Sequence, residues 1–272
     1  MLLSGSIGVV ILKKNNKIIY LLSDDHSNNI YCSNNSNNHS YIHTFLESEI
    51  NKGNQILLEE VYRDGFNLKE LWTTTKHTQD LKNLFLTNKN INGIDIRPYL
   101  LPFSWIILDI DKPDSEICNM SIKQYISKLD DFFNCSGYFF QKIFKPVYKS
   151  ILIKNSGSGK HLYDAHNLYK KIISYNDLSK SIYFYFQNKK NILYDIDTLC
   201  DMIMEFYTIL LSFTSCKKSY IHAGLFHSHN ILDYLIKHYN FNIIYKNGTV
   251  TFPPYLSKIN ACTLLPTNNS IY

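Results

Sequence analysis

The stretch QILLEEV, residues 55–61, decides how the rest of the chain is read. Its apolar residues run on without alternation, and the run is too short for a core helix. It therefore predicts a strand inside a sheet that is covered on both faces. Just upstream, SYIHTFLESEINKGN (40–54) carries Ile42, Phe45, Leu46 and Ile50 at helical spacing, with a serine at its start and a glycine near its end, which predicts a short helix. Downstream, LKELWTTTKHTQDLKNLFLT (68–87) reads as helical and INGIDIRPYLLP (91–102) as a strand stopped by proline. Strand, helix and strand thus alternate, as in an α/β fold whose central sheet is mostly parallel.

Further out, IGVVILKKNNKIIYLLSDDH (7–26) places two β-branched runs around an Asn-Asn turn and predicts an N-terminal hairpin. Residues 111–194 break the rhythm with aromatic-rich, amphipathic segments and are expected to be a largely helical insertion within a single α/β domain spanning 1–272. The pattern resumes with DIDTLCDMIMEFYTILLSF (195–213) as a long helix, SYIHAGLF (219–226) as a strand and SHNILDYLIKHY (228–239) as a helix. A terminal hairpin, FNIIYKNGTVTF (241–252), is expected to turn at Asn247-Gly248.

With 45% hydrophobic and 19% charged residues, the chain has the composition of a folded globular protein. The net charge of +5 comes from scattered lysines rather than a basic stripe, which argues against nucleic acid as a partner. Six cysteines form no CxxC pair or zinc-ribbon spacing, so free, mostly buried thiols in a reducing compartment are expected. The N-terminus lacks the basic region and cleavage site of a signal peptide, and the longest apolar runs fall short of the ~20 residues of a membrane helix. A soluble, intracellular protein is the expectation.

Four predicted strand ends carry the residues from which a site can be built. Asp24, Asp25 and His26 close the first, and Glu59 and Glu60 the second, with Arg63 as a nearby partner. Strand alternation sends Glu59 and Glu60 to opposite sides, so at most one of them faces a shared cleft. Asp95 and Arg97, two residues apart on one strand face, can pair with each other or with an incoming anion. Gly224 permits close backbone approach, with His227 and His229 beyond it, while His222 lies within the strand and is read as packed. NSGSGKH (155–161) falls short of a phosphate loop, because Lys154 stands where the first glycine belongs and His161 where a Ser/Thr would hold magnesium. Carboxylates, histidines and an arginine at the carboxyl edge of one sheet are the residues of a water-activating site.

In their order, these motifs resemble the superfamily that joins the erythromycin esterase-like, TraB/PrgY, ChaN-like and Tiki proteins, and a group of uncharacterised proteins from large DNA viruses. The second motif stands as Gly224-Leu-Phe-His227, and Glu205 and Tyr207 fall where the viral proteins carry a D-x-Y motif. The first, Ser23-Asp-Asp-His26, has serine in place of glycine. The likeness covers roughly residues 18–110 and 195–245. It implies a hydrolase acting on an ester or peptide. His26, Glu59 (or Glu60) and His227 would hold a divalent metal (Mn, Co or Zn) or activate water directly, with Arg97 and Asp95 positioning the substrate anion. Asp25, Arg63, Glu205, Tyr207 and His229 would support them. The competing expectation is a viral or host-interaction protein that keeps the fold without the chemistry.

Overall fold

The computed structural model describes residues 1–25, 32, 39–61, 76–100, 116–152, 158–188, 191–215, 218–252 and 262–266. The chain forms two compact units, Met1–Asp95 with Leu211–Tyr272, and Ile96–Leu210.

The first unit holds strands β1 (Leu2–Ser4), β2 (Gly8–Lys14), β3 (Lys17–Asp24), β4 (His39–Tyr41), β5 (Gln55–Val61), β6 (Ile91–Asp95), β7 (Ser219–Gly224), β8 (Asn242–Gly248) and β9 (Cys262–Leu264). Its helices are α1 (Ile42–Asn51) and α2 (Lys76–Thr87). The third helix of this unit is α11 (Leu225–Lys237). Six strands form the main sheet in the order β6-β5-β7-β3-β2-β8, and β4-β1-β9 form a small second sheet. The pairings β6–β5, β5–β7 and β7–β3 are parallel, while β3–β2 and β2–β8 are antiparallel. This is the α/β sheet that the sequence predicts.

QILLEEV lies inside this sheet, with Ile56, Leu57 and Leu58 all buried, which is why its sequence shows no alternation. Ile56 and Leu58 join Val9, Ile11, Leu22 and Tyr220 in a core that α1 and α2 seal with Leu46, Ile50, Leu81 and Phe85. At about 1.5–3 kcal/mol for each aliphatic side chain removed from water, this layer dominates the stabilisation of the unit. Helix α11 packs against β3 and β7. The β2–β3 hairpin turns at Asn15-Asn16, with Asn15 at φ 51°, a conformation asparagine tolerates.

The expected C-terminal hairpin does not form. β8 is a single edge strand on β2, and Gly248 lies opposite Gly8. A Cβ on Gly248 would stand 2.3 Å from the Ile7 carbonyl oxygen, and one on Gly8 2.1 Å from that of Thr249. Gly248 therefore serves a close crossing of two chain segments, while Asn-Gly in sequence reads as a turn. Cys32 and Cys262 form a disulfide, against the expectation of free thiols throughout. Cys118 and Cys200 are free and buried, and Cys135 is free and exposed.

The second unit is helical among its described residues, apart from an isolated bridge between Ser121 and Ser181. Its helices are α3 (Arg97–Leu100), α4 (Glu116–Asn119), α5 (Ile122–Phe133), α6 (Gly137–Phe139), α7 (Lys145–Leu152), α8 (Ser158–Ile173), α9 (Ile182–Asn188) and α10 (Asn191–Thr214). The last turn of α10, from Leu211, belongs to the first unit. A π-helical turn, Phe140–Phe144, joins α6 to α7. Ser121 opens α5 with a reciprocal capping box to Gln124. Phe132 meets Phe140 and Phe144 edge-to-face, its centroid 5.1 Å from that of Phe144, while Phe140 and Phe144 stack on each other. Among the described residues, no helix is long and apolar enough to cross a membrane.

Candidate functional site

Because β3, β5, β6 and β7 run parallel, their carboxyl ends share one edge of the sheet. Asp24 pairs with Gly224 across β3–β7, and Val61 with Asp95 across β5–β6. The sequence-predicted strand ends of Asp24, Glu59–Glu60, Asp95 and Gly224 therefore meet at the edge where open α/β sheets bind ligands.

The choice between Glu59 and Glu60 rests on a local irregularity. Leu58 pairs with Gly93 and Val61 with Asp95, so β5 spends one residue more than β6 over this interval, which is a β-bulge. Gly93 accommodates it, since a Cβ there would stand 2.7 Å from the carbonyl oxygens of Glu60 and Val61. Glu59 then reaches the start of α11. Its Oε2 accepts the Gly224 backbone N–H at 2.6 Å, and its Oε1 lies 3.5 Å from His227 Nε2.

Gly224 is the N-cap of α11, and its lack of a side chain leaves the cap position to the carboxylate from β5. The positive end of the helix dipole and the directed N–H favour an ionised Glu59 there. Burial alone would penalise that charge heavily. The side chains of Glu59 and His227 are only 8% and 9% exposed, so their contact works in a medium where electrostatic interactions are strong. The carboxylate faces Nε2 of the imidazole, from where it can orient the ring.

The strand containing SYIHAG stops at Gly224, and Leu225 and Phe226, expected in the strand, form the first turn of α11. His227 thus projects from a helix start rather than a strand end. Its ring meets Phe226 edge-on at 5.4 Å, and Phe226 meets Phe252 in the same way at 5.4 Å. Both phenylalanines are a little under half exposed and give the site an apolar flank that sequence reasoning missed, although Phe226 lies within the Gly-Leu-Phe-His motif. The Gly224 N–H was missed too, because backbone donors leave no sequence signal.

Asp24 and Asp95 are buried, Asp25 is partly exposed, and Glu60 sits beside Glu59 in the bulge. Ser23 is fully buried between Gly8 and Ala223, and its hydroxyl has no hydrogen-bond partner among the described residues. His222 is buried in β7, as expected of a packed side chain. His229 is partly buried on α11, with Nδ1 enclosed and no partner among the described residues. His26 and Arg63 lie outside the described residues.

Arg97 is not where the sequence places it. The strand ends at Asp95, and Arg97 opens α3, where Pro98 fits the first helical turn because no N–H is needed there. Arg97 Nη1 donates to Asp201 Oδ1 at 2.8 Å, within the second unit. Glu205 and Tyr207 also belong to that unit, both buried on α10, with Tyr207 beside Phe144. His161 is buried in α8.

Of the expected metal ligands, Glu59 and His227 meet while His26 lies outside the described residues. Among the described residues, no three His, Cys, Asp or Glu side chains are grouped to hold a metal ion, whereas a catalytic zinc-type site uses three protein ligands. The described residues therefore do not by themselves make a metal site. Comparisons of the chain with protein-family models, curated proteins and solved structures find no match.

Proposed function

We propose that the carboxyl edge of the sheet is a hydrolytic site in which His227 acts as general base toward water and Glu59 orients it. The observation that carries this reading is the Glu59 carboxylate clamped between the Gly224 N–H and His227. A proton taken by the ring makes an imidazolium, and the adjacent carboxylate stabilises that charge. Such a base contributes about 10²–10⁴-fold to rate. Phe226 and Phe252 offer an apolar surface beside the reacting position, suited to an ester or peptide carrying an apolar group. The resemblance of the motif order to that of the erythromycin esterase-like superfamily supports the same class of reaction.

The test is turnover of p-nitrophenyl esters and fluorogenic peptides by the parent chain and by His227→Gln and Glu59→Gln. Saturable hydrolysis that falls by about 10²-fold or more in His227→Gln, with circular dichroism unchanged, supports the proposal. Absence of turnover, or full activity in the variant, sinks it. A metal-assisted version needs His26 as a further ligand. Stoichiometric Mn, Co or Zn in the purified protein, lost in His227→Ala, would establish it.

One observation favours a second reading. Glu59 and His227 are nearly enclosed, so the carboxylate also suits a purely structural role as the cap of α11. On that reading Glu59→Gln lowers stability, and no substrate is turned over.

A further inference from the structure

The Cys32–Cys262 disulfide lies at one end of a chain of contacts that runs to the site. Cys32 is held to β1 through its backbone N–H, which donates to Ser4 Oγ at 3.0 Å. Cys262 opens β9, which pairs with β1 in the small sheet. Its neighbour Thr263 is fully buried and donates from Oγ1 to the Ser6 carbonyl at 3.1 Å. Ser6 in turn places its hydroxyl 2.9 Å from the Gly8 carbonyl and 3.0 Å from that of Ser23, at the carboxyl edge of the main sheet. Ile7 donates its N–H to Ser23 at 2.9 Å and packs its side chain against Leu225. Leu225 is the first residue of α11, directly after the N–H that holds Glu59. Both cysteines are partly exposed, so a thiol reagent can reach them.

We propose that this disulfide is a redox clasp: oxidised, it holds β9 and the Ser6–Gly8 turn in place and so fixes the start of α11, and reduced, it releases that start. In the reduction, a thiolate of a dithiol reductant attacks one cysteine sulfur, and the other cysteine leaves as a thiolate that takes up a proton. The second thiol of the reductant then displaces the first cysteine, giving two protein thiols and one oxidised reductant. The free cysteines among the described residues, Cys118, Cys135 and Cys200, belong to the helical unit. The consequence for catalysis rests on the proposed role of Glu59 and His227, whereas the structural claim stands apart from it.

Hydrogen exchange followed by mass spectrometry tests the clasp on the full chain, air-oxidised and then treated with dithiothreitol. Exchange over Gly224–Ser228 is expected to be about tenfold faster in the reduced chain, with β2 and β3 protected as before. The Cys32→Ser/Cys262→Ser double variant should behave as the reduced chain without any reductant. Thr263→Val should speed the same segment while the disulfide stays intact. Equal exchange in the two redox states overturns the proposal, as does loss of protection throughout β2 and β3, or an oxidised chain whose mass shows no bond. Ester turnover, measured in parallel, falls on reduction if the proposed function also holds. Its absence in both states would sink that function alone and leave the exchange result standing.

Discussion

Gly93→Ala is the substitution through which the fold and the candidate site are most tightly linked. The added Cβ would lie 2.7 Å from two carbonyl oxygens of β5, where ordinary contact begins at 3.4 Å, so 3.4 − 2.7 leaves 0.7 Å to be relieved. The atoms it meets are backbone in the interior of a sheet and cannot rotate away as a side-chain tip would. Overpacking of this kind costs about 1–3 kcal/mol. The entropy lost from the unfolded chain when alanine replaces glycine offsets about 0.5–1 kcal/mol of that. A net loss of about 1–2 kcal/mol should lower the urea midpoint by roughly 0.5–1 M for a slope near 2 kcal/mol per molar. Because the displaced carbonyls belong to Glu60 and Val61, the bulge moves, and Glu59 moves with it. The Gly224 amide resonance, set by its hydrogen bond to Glu59, should therefore shift in an ¹H–¹⁵N spectrum, while resonances of the β2–β3 hairpin hold still. An unchanged midpoint together with an unmoved Gly224 amide would refute the claim that Gly93 shapes the bulge.

Three further outcomes are expected. Burial, and then its hydrogen bond to Glu49, raise the Tyr220 hydroxyl above the usual tyrosine value. Above about pH 10 the unfolded chain releases a proton that the folded chain keeps, so stability present below pH 10 is lost as pH rises; urea midpoints measured from pH 8 to 11 should fall less steeply in Tyr220→Phe. Ser121→Ala removes the acceptor for the Gln124 N–H at the start of α5 and should cost about 1 kcal/mol, read from thermal unfolding of the second unit. Asp201→Asn removes the carboxylate charge from the Arg97–Asp201 pair, whose side chains are only 15% and 12% exposed, and should cost about 3 kcal/mol, whereas pairing Asp201→Leu with Arg97→Met should recover much of the loss.

What the sequence made legible were the features written locally. The β2–β3 hairpin and the buried run of β5 follow from residues next to one another, and the shared carboxyl edge follows from their alternation with helices. Features set by distant partners were not legible. Asn247-Gly248 carries the same letters as a hairpin turn, and only the opposing Ile7 and Gly8 show that the glycine serves a crossing. Leu225 and Phe226 continue the apolar run of β7, so nothing local marks the helix that begins there. Three-residue strands such as β1, β4 and β9 are too short to show a period, and the pairing of Cys32 with Cys262 across 230 residues has no spacing signature. At the candidate site, the shared sheet edge was readable, but the turn of Glu59 rather than Glu60 toward Gly224 depended on a bulge, and Arg97 was misplaced because proline both ends strands and begins helices.

The position of β7 bears on how the chain comes to be folded at all. β7 sits between β5 and β3, yet it is the last of the parallel strands to be synthesised, and Ser219, which meets Gln55, lies 164 positions further along the chain. At 5–20 residues per second, β3 and β5 leave the ribosome roughly eight to forty seconds before the strand that joins them. Throughout that interval two apolar strands present open edges with no native neighbour on that side, which is the condition that favours pairing with other chains. The helical second unit is translated within the same interval, and its local contacts form quickly. The sheet therefore closes late and from its middle, so the nascent chain stays open to misassociation until Gly224 has emerged.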